Sequence, residues 1–497
     1  MLHSKDWRNC SQNFHSLTLL LLGICFLMTS CAEGSHELTE AERSAFGEYV
    51  NQMDSTLTGV WFDRMGVSED ADSVLAYLRR EVPRNGLDTV VFLVPEIAKD
   101  LEIVHKLAFD SVGISINDLL PRLEANLTKA YVRFATGQRF GFMRNPSRAF
   151  NYTDPKVGNP GSFARVFDYE PAHPDTTEAA KKVSESDRMS YLVSSAPDTY
   201  IYKALLKEMD NTTDAEKRHQ LAVNMERCRW QIPHPQSNQR QILVNIPAQH
   251  LWAIGGDTVL DMRICCGSVP TKTPLLNSKI KYMQVNPEWI IPHNIIKTEV
   301  IHHAGDSAYF ARNRYTITDR TTGEVIDVAD ADPATLRSGN LRISQKGGAG
   351  NSLGRIVFRF DNNFSIYLHD TNNRGAFERE RRTLSHGCVR VQKPFELAKY
   401  LLPGADEWTL ESIRISMDIP PVTERGREWL SKHAGSERPY RLISYKEVTP
   451  HVPLYIIYYT TFPNPKTGVV NYWPDIYGFD KVISKDLKWI SEGSSNR

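Results

Sequence analysis

A cysteine, a glycine and two histidines carry the most reactive chemistry in this chain. The stretch Thr383-Leu384-Ser385-His386-Gly387-Cys388-Val389-Arg390-Val391 sets Cys388 after a glycine and two residues after His386. A second histidine stands 19 residues upstream, in Tyr367-Leu368-His369-Asp370-Thr371. A thiol attacks as its thiolate, so it needs a base within hydrogen-bond reach. Gly387 lets the backbone come close to a reacting carbonyl, and the N–H groups of Gly387 and Cys388 are candidates to hold the oxyanion that forms. Spacing alone leaves the base open. On an extended run His386 shares a face with Cys388, whereas His369 reaches it only if the charged excursion from Arg374 to Arg382 folds back.

The elements that must position these groups change character along the chain. From Leu38 to about Phe150 the pattern is helical. Val74, Leu75, Leu78 and Val82 form one stripe closed by Pro83; Ile97, Leu101, Val104 and Leu107 or Ala108 form a second, and Leu119, Leu123, Leu127, Ala130, Tyr131 and Phe134 a third. Residues 151–174 are rich in Pro, Gly, Asp and Asn and read as loop. Helices are expected again over Thr176 to Ala196, from Pro197, and over Ala215 to Arg229. At Gln241 the period becomes alternating. Strands are expected at Ile242–Ile246, Leu251–Ile254, Val259–Ile264, Ile280–Val285, Ile356–Phe360 and Ser365–Leu368, with a short helix from Phe395 to Leu402 after Cys388. The fold class is therefore α+β, a helical N-terminal part followed by a mostly antiparallel β domain that carries the cysteine. The long stretch 292–347, next to the site, reads as an inserted lid or as an excursion with its own small fold.

Composition narrows the function by exclusion. Lys plus Arg and Asp plus Glu balance at 59 each in 497 residues, so no basic field argues for nucleic acid. At the N-terminus, Lys5 and Arg8 precede an apolar run from Leu17 to Leu27 that ends in Leu27-Met28-Thr29-Ser30-Cys31. This resembles a bacterial lipoprotein signal, with Met28 where leucine is usual; an ordinary signal peptide or an uncleaved anchor is the other reading. Residues 1–30 would be the signal, Cys31 the lipid-bearing residue, and 31–37 a tether. Ala32, in place of a retention aspartate, points to the outer membrane and so to a periplasmic enzyme. Cys228, Cys265, Cys266 and Cys388 are too few for a disulfide framework and lack zinc-site spacing. Cys265 and Cys266 are expected as buried filler, and His302 and His303 as solvated or core histidines.

Ser385-His386-Gly387-Cys388-Val389-Arg390-Val391, with His369 upstream, resembles the L,D-transpeptidase catalytic domain of bacterial cell-wall enzymes, in the large periplasmic subfamily with an N-terminal scaffold. Asn224-Met225-Glu226-Arg227, Leu243-Val244-Asn245-Ile246-Pro247, Asn286-Pro287-Glu288-Trp289, residues 348–355 and Pro474-Asp475-Ile476-Tyr477-Gly478 extend the similarity. The resemblance implies a scaffold over 38–215, a catalytic domain over 216–497 and a capping insertion at about 292–347. The span from 151 to 216 is too short for the peptidoglycan-binding module usual in that subfamily, and Cys228 stands where relatives tend to carry an aromatic residue.

Residue by residue, the resemblance implies Cys388 as nucleophile, His369 as base, and His386 as an orienting member of the site. Arg390 would bind a substrate carboxylate or pin its loop through an ion pair. Tyr367, Trp289 and Asn351 would line the cleft, with core packing or turn chemistry the plainer role for each. The implied reaction joins peptidoglycan stem peptides, donor and acceptor, through a 3→3 cross-link formed via a cysteine thioester. It uses no cofactor and no metal, and carbapenem-type inhibitors would acylate the same thiol. Water as acceptor would make the protein an L,D-carboxypeptidase or endopeptidase. A wall-associated scaffold lipoprotein without activity is the third reading.

Overall fold

A computed structural model describes residues 48–49, 51–152, 165–237, 239–255, 258–433 and 442–487. The expected signal, Cys31 and the tether lie outside these residues. The chain divides into two compact units, one of residues up to Thr136 with Asp175–Ala196, the other of Gly137–Pro174 with Pro197 onward.

The first unit is helical apart from a small hairpin, β1 (Phe62–Asp63) against β2 (Gly66–Val67). The three apolar stripes fall on helices Glu69–Arg84, Val94–His105 and Ile116–Phe140. The stripe residues within these helices are buried because three- and four-residue spacing puts them on one face. Glu69, Asp70 and Asp72 fill the first turn of the first helix and Arg84 its last, each complementing the helix dipole. Two boundaries differ from the sequence expectation. Pro83 sits inside the final turn rather than closing the helix, which runs on to Arg84, and Leu107, at φ +51°, lies past the end of its helix. The helix expected over 176–196 is two short ones, Thr177–Lys182 and Arg188–Ser194.

The second unit is built on strands β3 (Gln241–Asn245), β4 (His250–Gly255), β5 (Thr258–Gly267), β6 (Leu276–Val285), β10 (Ile356–Phe360), β11 (Leu368–His369), β12 (Thr383–Ser385), β13 (Val389–Val391) and β14 (Tyr445–Ile457). Their order is β12-β5-β13-β11-β10-β6-β14-β3-β4, and β4 pairs back onto β5. The early part of β5 bonds β4, and its last residues bond β13 and β12. Closing the sheet in this way leaves, of these nine strands, only the three-residue β12 with an unpaired edge. Most neighbours are antiparallel, as expected, but β11–β13, β12–β5 and β14–β3 are parallel. All five residues of β3 are buried, so both of its faces are covered.

Helix Ala215–Arg229 supports this unit through charges that the sequence pattern hides. Asn224, Glu226, Arg227 and Arg229 are all buried. Each is committed: Glu226 accepts from the N–H groups of Phe142 and Met143 and from the Trp230 indole, Arg227 pairs with Asp480 at 2.6 Å, and Arg229 donates to Gln138 at 2.9 Å. Buried charges survive only when paired and hydrogen-bonded in this way. Cys228 lies among them, its sulfur 3.4 Å from the Asn224 carbonyl, and burial pushes its thiol up to about 12.

The insertion is a folded body with its own core. Strands β7 (Trp289–Ile290), β8 (Tyr315–Asp319) and β9 (Leu341–Gln345) form a sheet in the order β7-β9-β8. Ile291, Ile296, Phe310, Ile317, Leu336 and Ile343 are buried together beneath it. Asp306 and Asp332 cap its helices Ser307–Asn313 and Pro333–Ser338 through hydrogen bonds to backbone N–H groups.

Candidate active site

Strand pairing brings the two sequence motifs together. In β11 and β13 Leu368 pairs with Val389 and His369 with Arg390, and the Val389 N–H donates to the Tyr367 carbonyl at 3.1 Å. Cys388, immediately before β13, therefore lies opposite Tyr367, the residue before β11. Paired residues of neighbouring strands share a face, as do residues two apart. Tyr367, His369, Cys388 and Arg390 thus occupy one face of two adjacent strands. The excursion between the motifs makes the 3-10 turn Arg374–Glu378 and returns as β12, anchored by Cys266 N–H to the Arg382 carbonyl at 3.0 Å.

His369 is 4% exposed, and its Nδ1 is a buried atom without a hydrogen-bond partner. Burial first, then the positive charge of Arg390, lowers its pKa to about 3, against the acceptor carbonyls of Asp370 and Leu353. The ring is neutral at physiological pH. Cys388 is partly exposed; burial raises its thiol to about 11, opposed by Tyr367, Arg359 and Arg390. In this state donor and acceptor are both uncharged. Tyr367 packs its ring edge-on to His369 at 5.7 Å, and Trp289 and Cys388 act on its phenol as hydrogen-bonding neighbours.

His386 takes a different place from the one an extended run would give it. The stretch breaks after Ser385, and Gly387 adopts φ +115°, so His386 does not share the face of Cys388 that an unbroken strand would give it. His386 is exposed, and its Nε2 lies 2.5 Å from Glu299 of the insertion. Gly387 is tied down on both sides. Its N–H donates to Ser385 Oγ at 3.2 Å, and its carbonyl accepts from Thr273 Oγ1 at 2.8 Å. The expected oxyanion pair is thus half committed, and the Cys388 N–H is the one with no acceptor against it among the described residues.

The remaining candidates separate. Arg390 has no carboxylate within ion-pair distance among the described residues, and its buried Nε has no partner, which favours a substrate group over a loop pin. Trp289 stands on β7, half-buried, beside Tyr367. Asn351 is fully buried and spends its amide on the carbonyls of Pro287, Gln345 and Lys346 while accepting from the Leu353 N–H. It shapes the loop carrying Leu353, whose carbonyl faces His369, and it does not line the cleft. The sequence reading missed Arg359, which lies 4.4 Å over the Tyr367 ring and donates to Gln284 at 2.9 Å. A lone cation in the apolar strand Ile356–Phe360 was its only signal. Ser385, whose hydroxyl donates to the Cys388 carbonyl at 2.5 Å, was also missed.

Comparison with known proteins gives this geometry a context. Residues 239–415 match the family model of an L,D-transpeptidase catalytic domain. Residues 56–209 match a scaffold-domain model. A protein of Haemophilus influenzae named "Putative L,D-transpeptidase" is 30% identical over 315 residues, covering 62% of this chain and 58% of that protein.

Proposed function

With residues 239–415 matching the family model of an L,D-transpeptidase catalytic domain and residues 56–209 a scaffold-domain model, we propose that the chain cross-links peptidoglycan stems through a thioester on Cys388. One observation carries this reading: the parallel register that sets Cys388 and the unpartnered Nδ1 of His369 on one face. As the Cys388 sulfur bonds to the carbonyl carbon of the third residue of a tetrapeptide stem, its proton passes to His369. The imidazolium returns that proton to the terminal D-alanine amine as the C–N bond breaks. The side-chain amine of a second stem then gives a proton to His369 and forms a new amide, and the released sulfur regains the proton. The Cys388 N–H, and the Gly387 N–H once it leaves Ser385, stabilise the oxyanion of each half-reaction. Arg390 holds a stem carboxylate, and Tyr367 and Trp289 flank it.

The neutral resting pair means that the proton moves as the carbon–sulfur bond forms rather than beforehand. Lipid attachment at Cys31 and a periplasmic, outer-membrane address complete the proposal. Incorporation of labelled palmitate by the natural chain, lost in Cys31→Ala, checks them. For the reaction, purified protein incubated with a disaccharide tetrapeptide yields a 3→3 cross-linked dimer by mass spectrometry. Cys388→Ala and His369→Ala lower it at least a hundredfold, while His386→Ala retains measurable activity. Trimmed tripeptide without dimer would make the protein a carboxypeptidase. Loss of activity in His386→Ala but not in His369→Ala would reverse the base assignment.

A further inference from the structure

Beside the catalytic loop, within the same unit, lies a cavity of about 950 Å³ that the reaction above does not use. Its rim carries Arg144, Arg148, Lys481 and Lys485, all exposed, with Lys272 buried at its wall and Asp486 the lone carboxylate among its lining residues. Among the described residues the side chains of the four rim cations make no ion pair or hydrogen bond. Lys272 donates to the Val269 carbonyl at 2.9 Å and lies over the Tyr477 ring at 5.7 Å. The floor is aromatic. Phe150 meets Phe479 at 4.8 Å, and Phe479 meets Tyr477 at 5.9 Å.

Four uncommitted cations around a concave aromatic floor suit one kind of ligand, a compact molecule with several anionic groups on an apolar or sugar-like body. The wall is shared with the active site. Thr273, next to Lys272, accepts from the Gly267 N–H and donates to the Gly387 carbonyl, both at 2.8 Å, and Tyr477 donates to the Gly267 carbonyl at 2.6 Å. Thr271 donates to the Ser385 carbonyl at 2.9 Å. A ligand held by Lys272 and Tyr477 is thus one residue removed from the loop that carries Cys388.

We propose that this cavity is a second peptidoglycan subsite that takes the carboxylates of an acidic stem peptide on its cationic rim and the body of the same muropeptide on its aromatic floor. The inference rests on the cross-linking reading for the identity of the ligand. A two-substrate reaction needs a place for each stem, and the insertion meets the loop at Glu299 and His386, away from the residues that line this cavity.

The test uses the full chain as Cys388→Ala, which performs no chemistry, so that binding and cross-linking succeed or fail separately. Calorimetry with soluble disaccharide tetrapeptide is expected to show affinity weakened at least tenfold by Arg144→Glu with Arg148→Glu, and equally by Lys481→Glu with Lys485→Glu. Arg144→Lys with Arg148→Lys should stay within about twofold. Two independent pairs on separate segments of the chain guard against a variant that fails to fold, and melting curves identify one. A photoactivatable muropeptide should label the peptides containing residues 144–150 and 478–486. Unchanged affinity in both charge-reversed pairs overturns the proposal. So does labelling confined to other peptides, or displacement by inorganic phosphate at the muropeptide's own concentration, which would reveal a general anion site.

Discussion

At the scale of single residues, the proposed chemistry depends on two groups that burial holds neutral. Cys388 is raised to about 11 and His369 lowered to about 3, in each case chiefly by desolvation, which disfavours the charged form of both. The sign follows directly. Between the ordinary thiol value and pH 11 a free cysteine is ionised while Cys388 is not. Alkylation by uncharged iodoacetamide should therefore be slow at pH 8 and rise about tenfold per pH unit until near 11. A plateau near neutrality would show a preformed thiolate instead. Gly387 supplies a second prediction. At φ +115° it occupies backbone space that side chains rarely adopt, yet an added Cβ would meet nothing nearer than 3.6 Å. The penalty in Gly387→Ala is thus conformational rather than steric, about 1–3 kcal/mol. It should appear as a lowered melting temperature and a dimer yield reduced more than tenfold as the loop shifts.

At the scale of elements, the short strands β11 and β13 do the positioning, and they were the least legible in the sequence. Ser365–Leu368 has strand character, yet Ser365 adopts φ +54° and only Leu368–His369 bonds as strand. Alternation cannot reveal which neighbour a two-residue strand will choose. The break at Gly387 was equally hidden, because glycine permits both the extended form and the turn. Long periodic elements were readable: the three apolar helix stripes and the strands Ile242–Ile246 and Ile356–Phe360 follow from side-chain spacing alone. The buried charges of helix 215–229 were not, since Glu226 and Arg229 look solvated until their partners 83 and 91 residues away are in place. The insertion touches the loop that carries Cys388 through Glu299 and His386, both about half exposed. An exposed pair contributes at most about 1 kcal/mol. Glu299→Gln should leave the melting temperature nearly unchanged and raise hydrogen exchange over residues 293–303 by no more than about fivefold. A much larger increase would mean that the pair holds the insertion in place by itself.

At the scale of the molecule, a closed sheet presents a thiol loop at one point, a separately cored insertion meets that loop through Glu299, and a cationic cavity adjoins it through Thr273. The fold class was legible because helical and alternating periods occupy different halves of the chain. The cavity was not, since Arg144, Lys272 and Lys481 are far apart in sequence and look like ordinary surface charges. The central claim concerns a covalent intermediate on one sulfur. Mixing the protein with disaccharide tetrapeptide, quenching in acid within the first turnover and mapping the adduct by mass spectrometry tests it most directly. The account predicts a disaccharide-tripeptide acyl group on the peptide containing Cys388, labile to hydroxylamine and missing in Cys388→Ala. Cross-linked product formed with no such adduct, or with the acyl group on another residue, would contradict it.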